Sequence, residues 1–343
     1  MKKISRRHFI PILGTAIVGA SCLSSTSKPF FNTSDPASLI PQRLKKGDII
    51  GVSAPAGGIK NSQELSSFEN ILAKLGYKTK FSKNCTNRYG YFSGTDEERA
   101  SDFMDLIEDK DVKAIFFLRG GWGCARILPY IDFNTIKTNP KIIMGFSDIT
   151  TLLNAITAKT GLVTFHGPGG NSSWNDYSIK YINDLISDSK LISYKNLPSD
   201  SPILTLHPGT SSGQLFGGNL SVICSLIGTD ALPDWENKIL FLEDVGEEPY
   251  RIDRMLTQLK QTGVFNKVNG VILGSFRKCT AEEPERSFTL IEVFEQYFSQ
   301  VDFPVYFGAQ IGHTKNKFTV PIGIEVEMNA DNGTFKMKKP AVN

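Results

Sequence analysis

The chain has 343 residues, enough for two domains that each bury a core, and its 40% apolar and 21% charged composition with 23 Phe excludes a disordered, collagen-like or supercharged protein. The formal charge of +3 originates in Lys2, Lys3, Arg6 and Arg7; beyond the first 21 residues, 34 cationic side chains face 35 acidic ones. That near-neutral balance argues against a nucleic-acid surface.

The N-terminus reads as an address. Two adjacent arginines in SRRHFI (residues 5–10) precede the apolar run Phe9 to Ala20, the order of a charged n-region and an h-region. A membrane span needs about 20 apolar residues, whereas this run is shorter and is broken by Pro11, Gly14 and Gly19. The segment resembles a twin-arginine export signal, and Gly19-Ala20-Ser21-Cys22 is similar to a bacterial lipobox, with Gly where Leu is usual. The resemblance implies a signal over residues 1–21, Cys22 as a lipidation site and export to the cell envelope, periplasmic or membrane-anchored. The Ser-, Thr-, Pro- and Asn-rich residues 22–41 are expected to be a flexible tether. Five cysteines, at 22, 85, 124, 224 and 279, form no C-x-x-C pair, so neither a zinc site nor a disulfide framework is expected.

Beyond the tether, apolar runs alternate with helical patterns. Ile49 to Ala54, Ala114 to Leu118 and Ile142 to Gly145 read as buried strands, and Leu65 to Leu75 as a helix. Thr95 and Glu98 have the spacing of a capping box at the start of another helix, and Cys124 to Tyr130 suits a short one. This alternation predicts an α/β fold whose N-terminal domain (42–175) is a parallel sheet with helices on both faces. A polar stretch over 176–206 is expected to link it to a mixed α/β, β-rich C-terminal domain (207–343). There Ile239 to Leu242 and Val271 to Gly274 read as strands, Arg251 to Gln261 and Leu290 to Phe298 as helices. Thr319 to Met328 and Phe335 to Lys338 alternate like a hairpin turning through Asp331-Asn332-Gly333.

Chemistry concentrates after four strands. In IIMGFSDIT, Ser147 falls between strand and helix, where a sharp turn exposes a hydroxyl, although only half of the G-x-S-x-G pattern is present and a plain helix cap has the same signature. The glycines of LRGGWG (118–123) permit close backbone approach, and the loop either supplies a second oxyanion donor, with Gly121 preferred and Trp122 as the alternative, or is a plain tight turn. The loop lacks the spacing of a nucleotide-binding motif. Glu243 and Asp244 end an apolar strand, with Glu247 nearby, and a carboxylate so placed can orient a histidine or join a solvated ion-pair network. His313 sits in a polar loop suited to a general base; His166 follows an apolar run as a structural residue or a base, and His207 stands in a linker-like Leu-His-Pro at the start of the C-terminal domain.

The ordered set LRGGWG, GFSDIT, HGP, GGNL, LEDVGEEPYRIDR and GHTKNKFTVPIG, from about Lys46 to Ile324, resembles the LD-carboxypeptidase family of serine peptidases, which includes microcin-immunity peptidases. The resemblance implies an N-terminal nucleophile domain and a Ser-Glu-His triad. Carried onto matching positions, Ser147 is the nucleophile, Glu243 the orienting acid with Asp244 and Glu247 as runners-up, and His313 the base. The amide of Asp148 and one from the Gly-rich loop would form the oxyanion hole. Trp122 stands where the family often has Tyr and is expected on the wall of the substrate pocket. The implied substrate is a murein tetrapeptide that loses D-Ala, with Arg119 or Arg251 as a clamp for the leaving carboxylate. No metal, cofactor or nucleic acid is expected; the membrane is met only through a lipid anchor, and a homodimer stays open. Alternatives are hydrolysis of another small amide and a catalytically silent peptide-binding lipoprotein.

Overall fold

The computed structural model describes residues 36–197 and 202–343; the signal-like segment and Cys22 lie outside the described residues. Strand and helix alternate through β1 (Ile49–Ser53), α1 (Gln63–Lys74), β2 (Lys78–Phe81), α2 (Asp96–Glu108), β3 (Val112–Phe117), α3 (Cys124–Ile127), α4 (Phe133–Thr138), β4 (Ile142–Gly145), α5 (Thr150–Thr160) and β5 (Thr164–His166). Then follow α6 (Asp176–Ile182), β6 (Ser193–Tyr194), β7 (Leu204–His207), β8 (Thr210–Asn219), α7 (Leu220–Leu226), β9 (Lys238–Val245), α8 (Pro249–Gln261), β10 (Gly270–Arg277), α9 (Leu290–Phe298), β11 (Val305–Phe307), β12 (Val320–Ile322), β13 (Glu325–Asn329) and β14 (Thr334–Met337).

The first sheet runs β12-β5-β4-β3-β1-β2, and all its neighbours are parallel except β12 against β5. Its central strands are continuous apolar runs because both faces are covered. The capping box forms as expected: Thr95 accepts the Glu98 amide while the Glu98 carboxylate accepts that of Thr95. The second sheet is mixed, in the order β6-β14-β13-β8-β9-β10-β11-β7. A parallel-rich N-terminal sheet and a mixed C-terminal one agree with the expected fold class.

Three details differ from the sequence expectation. The hairpin β13–β14 forms, but the run expected as one strand from Thr319 splits: β12 pairs with β5 in the first sheet, and Gly323, at φ 89°, turns the chain toward the second. The stretch 176–206 carries α6 and contributes β6 and β7 to the second sheet, so His207 ends a strand paired with β11. Leu39, near the end of the expected tether, is already fixed: its N–H donates to Gly161 O and its carbonyl accepts from Val163. Among the described residues no helix is long and apolar enough to cross a membrane.

Helix α5 joins the two halves. Nine of its residues are buried, leaving no polar face, because it lies between the first sheet and the β8–α7 segment. Asn154 on this helix donates from Nδ2 to Gly217 O at 2.8 Å, and the Thr150 hydroxyl accepts the Asn219 amide at 3.1 Å. These bonds hold the end of β8 against the helix that begins just after Ser147. Since Asn219 is the register partner of Glu243 on β9, they also bring β9 toward Ser147.

Candidate active site

Ser147 opens the turn between β4 and α5 with φ at 63°, a left-handed conformation rare for a non-glycine residue. Such strain is the geometry of a nucleophile elbow: the hydroxyl is lifted off the strand, and the first amides of the following turn face the same space. The Asp148 carboxylate is buried and accepts the Cys124 amide at 2.8 Å, which ties the Gly-rich loop to the Ser147 turn; burial raises its pKa. Within that loop Gly120, rather than Gly121, faces the serine. A Cβ on Gly120 would lie 2.8 Å from Ser147 Oγ, while Gly121, at φ 122°, packs on the backbone of Gly57.

His313 and Glu243 meet in the second half. His313 Nδ1 is 2.6 Å from Glu243 Oε2, and the His313 backbone N–H donates to the same oxygen at 3.2 Å. A carboxylate can only accept, so Nδ1 carries the ring proton and Nε2 presents a lone pair, the tautomer a general base requires. Gly312 permits this approach: at φ 100° it turns the loop, and a Cβ there would run into the Glu243 carboxylate. Glu243 is fully buried, whereas His313 is partly exposed. The Phe146 ring, adjacent to Ser147, lies 4.7 Å from the His313 ring.

The two runner-up acids face elsewhere. Asp244 accepts from the Asn219 side chain and from both the amide and the hydroxyl of Ser221, so it fixes the start of α7; burial raises its pKa. Glu247 lies 3.8 Å from Arg251 on α8. Arg251 itself is about half exposed.

Two clefts include residues of this region. One, of about 390 Å³, is lined by Arg88, Tyr91, Arg119, Gly120 and Trp122. Exposed Trp122 meets Tyr91 edge-on at 4.5 Å, and Arg119 donates to Gly58 O at 3.0 Å. The other, of about 470 Å³, is lined by Ser275, Arg277, Gln310 and His313.

Behind Glu243 lie two residues, His166 and Lys317, whose role local pattern leaves open. His166 is buried, and among the described residues neither ring nitrogen has a hydrogen-bond partner; burial, and then the charges of His313 and Lys317, push its pKa down to about 3. Lys317 is buried, with Nζ 3.3 Å from Ser173 Oγ and 5.6 Å from the Phe146 ring centre. Burial lowers its pKa to about 8, with Glu243 opposing. The sequence signal for Lys317 was a cation directly before the apolar run that becomes β12; Gly120 and Arg277 carried none that separated them from their neighbours.

Family profiles match both halves: the LD-carboxypeptidase N-terminal domain over residues 50–167 and the LD-carboxypeptidase C-terminal domain over residues 212–328. The chain belongs to the LD-carboxypeptidase family. This makes it a peptidase, a hydrolase of the S66 class. A probable murein peptide carboxypeptidase of Bacillus subtilis is 39% identical over 84% of this chain and 91% of its own length. The microcin C7 self-immunity protein MccF of Escherichia coli is 30% identical over 86% of this chain and 94% of its own. The solved muramoyltetrapeptide carboxypeptidase of Oxalobacter formigenes superposes with a TM-score of 0.73 at 28% identity, covering 84% of this chain and 97% of that one. In LD-carboxypeptidase terms, the first profile contains Ser147, and the second contains Glu243 and His313.

Proposed function

We propose that this protein is an exported serine carboxypeptidase that removes the terminal D-Ala from murein tetrapeptides through an acyl-enzyme. The reading rests on one observation above all: a buried carboxylate holds the Nδ1 side of a partly exposed histidine whose ring packs against the neighbour of a strained serine. In the proposed reaction Ser147 Oγ attacks the carbonyl of the L-centre while His313 Nε2 takes its proton. The amide of Asp148 and one from the Gly-rich loop bind the oxyanion. His313 then gives the proton to the leaving D-amino acid and activates the water that frees Ser147. Arg277 shares the second cleft with His313 and makes no ion pair among the described residues, so it joins Arg119 and Arg251 as a carboxylate clamp.

Mass spectrometry of murein tetrapeptide incubated with the protein, beside Ser147→Ala and with EDTA present, tests this reading. Loss of one D-Ala by the wild type alone, unaffected by EDTA, is the expected outcome. A folded wild type that leaves the peptide intact but is labelled at Ser147 by a fluorophosphonate would favour another small amide, the reading suggested by the likeness to MccF. Absence of both would favour a binding protein. Export and lipidation rest on residues 5–22 alone; recovery of the wild type in the cell envelope tests the first, and loss of fatty-acid labelling in Cys22→Ser, with the wild type labelled, tests the second.

A further inference from the structure

The acid in this site has two oxygens, and only one is accounted for. Glu243 Oε2 accepts twice from His313, whereas Oε1 is buried and has no hydrogen-bond partner among the described residues. The polar atom facing it is His166 Nε2, at 3.9 Å, which is likewise buried and unpartnered. A buried pair of unsatisfied polar atoms opposed in this way is costly in isolation. The His166 ring is packed edge-on against Phe241 on one side and Phe146 on the other.

We propose that His166 is a positioning residue for Glu243: in the substrate-bound enzyme its Nε2–H closes onto Glu243 Oε1 and locks the carboxylate with Oε2 toward His313. This rests on the Ser147, Glu243 and His313 reading given above. A movement of about 1 Å converts the separation into an ordinary hydrogen bond, and catalytic hydrogen bonds often tighten only when substrate is bound. His166 ends β5, whose register partner is Val320, and the neighbouring Lys317 lies against Phe146, the residue before the nucleophile. The charged or titratable groups around Glu243 are His313 from the loop after β11, His166 from β5, Lys317 from the segment before β12 and Asp244 on its own strand; Arg277 on β10 acts on Lys317. Of these, only His166 faces Oε1 from within hydrogen-bonding reach of a small shift. A neutral imidazole suits the task, because it donates without adding a charge that would compete with the imidazolium formed at His313.

Two measurements on the full-length protein test this. In the ¹⁵N-histidine NMR spectrum of the wild type, His166 is expected to stay neutral between pH 5 and 8 with its proton on Nε2; a proton on Nδ1, or titration in that range, would overturn the proposal. In His166→Phe, fluorophosphonate labelling of Ser147 is expected to slow about 10- to 100-fold, the loss typical of a hydrogen bond to a charged group. Its half-maximal pH should move lower, since a loosened Glu243 stabilises the imidazolium less. His166→Gln, whose amide N–H can reach Oε1, should restore most of the rate. Labelling of His166→Phe at the wild-type rate and midpoint would leave His166 as core packing only. Should that variant fail to fold, the wild-type tautomer still decides. Failure of the underlying catalytic reading looks different: the wild type itself would not be labelled at Ser147.

Discussion

Gly120 and Ser147 approach so closely that a Cβ on the glycine would lie 2.7 Å from the serine Cβ and 2.8 Å from its hydroxyl. The Gly-rich loop is therefore shaped around the serine. Gly120→Ala should push the hydroxyl off its position at an overpacking cost of about 1–3 kcal/mol, slowing fluorophosphonate labelling at least about tenfold while the fold survives. Labelling rate and Tm, measured on the same sample, check this; an unchanged rate would mean that the loop yields freely.

The contact between the halves depends on Asn154, whose amide donates to both Thr150 O and Gly217 O inside the protein. Asn154→Ala leaves the Gly217 carbonyl buried without that partner. A loss of about 1–3 kcal/mol in urea unfolding is expected, together with slower labelling of Ser147, because β8 and β9 would no longer be held to the helix that follows the serine. Loss of stability with full labelling would show that the bond supports only the fold.

Much of this arrangement is legible in local pattern. The buried strand ending at Gly145, the Thr95–Glu98 cap and the Asp331-Asn332-Gly333 turn each depend on neighbours in sequence, and each appears as expected. The acid is less legible. Glu243 and Asp244 are adjacent on one strand, so their side chains point to opposite faces, and no local signal says which face meets the histidine. The route of β12 into the first sheet, and with it the placing of Lys317 and His166 behind Glu243, arises from pairing over more than 150 residues, beyond any periodicity.

His166 makes stability depend on acid. Its pKa is about 3 in the folded protein against 6.5 ordinarily, so between those values the unfolded chain binds a proton that the folded one does not. The contribution is complete above pH 6.5 and is lost as pH falls toward 3, at about 1.4 kcal/mol per pH unit over most of that window. Urea unfolding at pH 7, 5.5 and 4 should therefore show the wild type losing stability more steeply than His166→Phe. Parallel slopes would mean that His166 is protonated in the folded state at an ordinary pH.

The two adjacent acids should separate cleanly under substitution. Asp244 bonds the Asn219 side chain and the amide and hydroxyl of Ser221, groups that begin α7, whereas Glu243 bonds His313. Asp244→Ala strands several buried donors and should cost about 2–3 kcal/mol in unfolding free energy, with labelling of the folded fraction changed only severalfold. Glu243→Gln keeps the shape, but its amide can turn an N–H toward His313 and favour the wrong tautomer. It should lower kcat by about 10³- to 10⁴-fold, with Tm little reduced. Measuring Tm and kcat on both variants places each acid. If Asp244→Ala were the one to lose turnover while Glu243→Gln kept it, the 2.6 Å bond to His313 would have no part in the chemistry, and the base would have to be sought elsewhere.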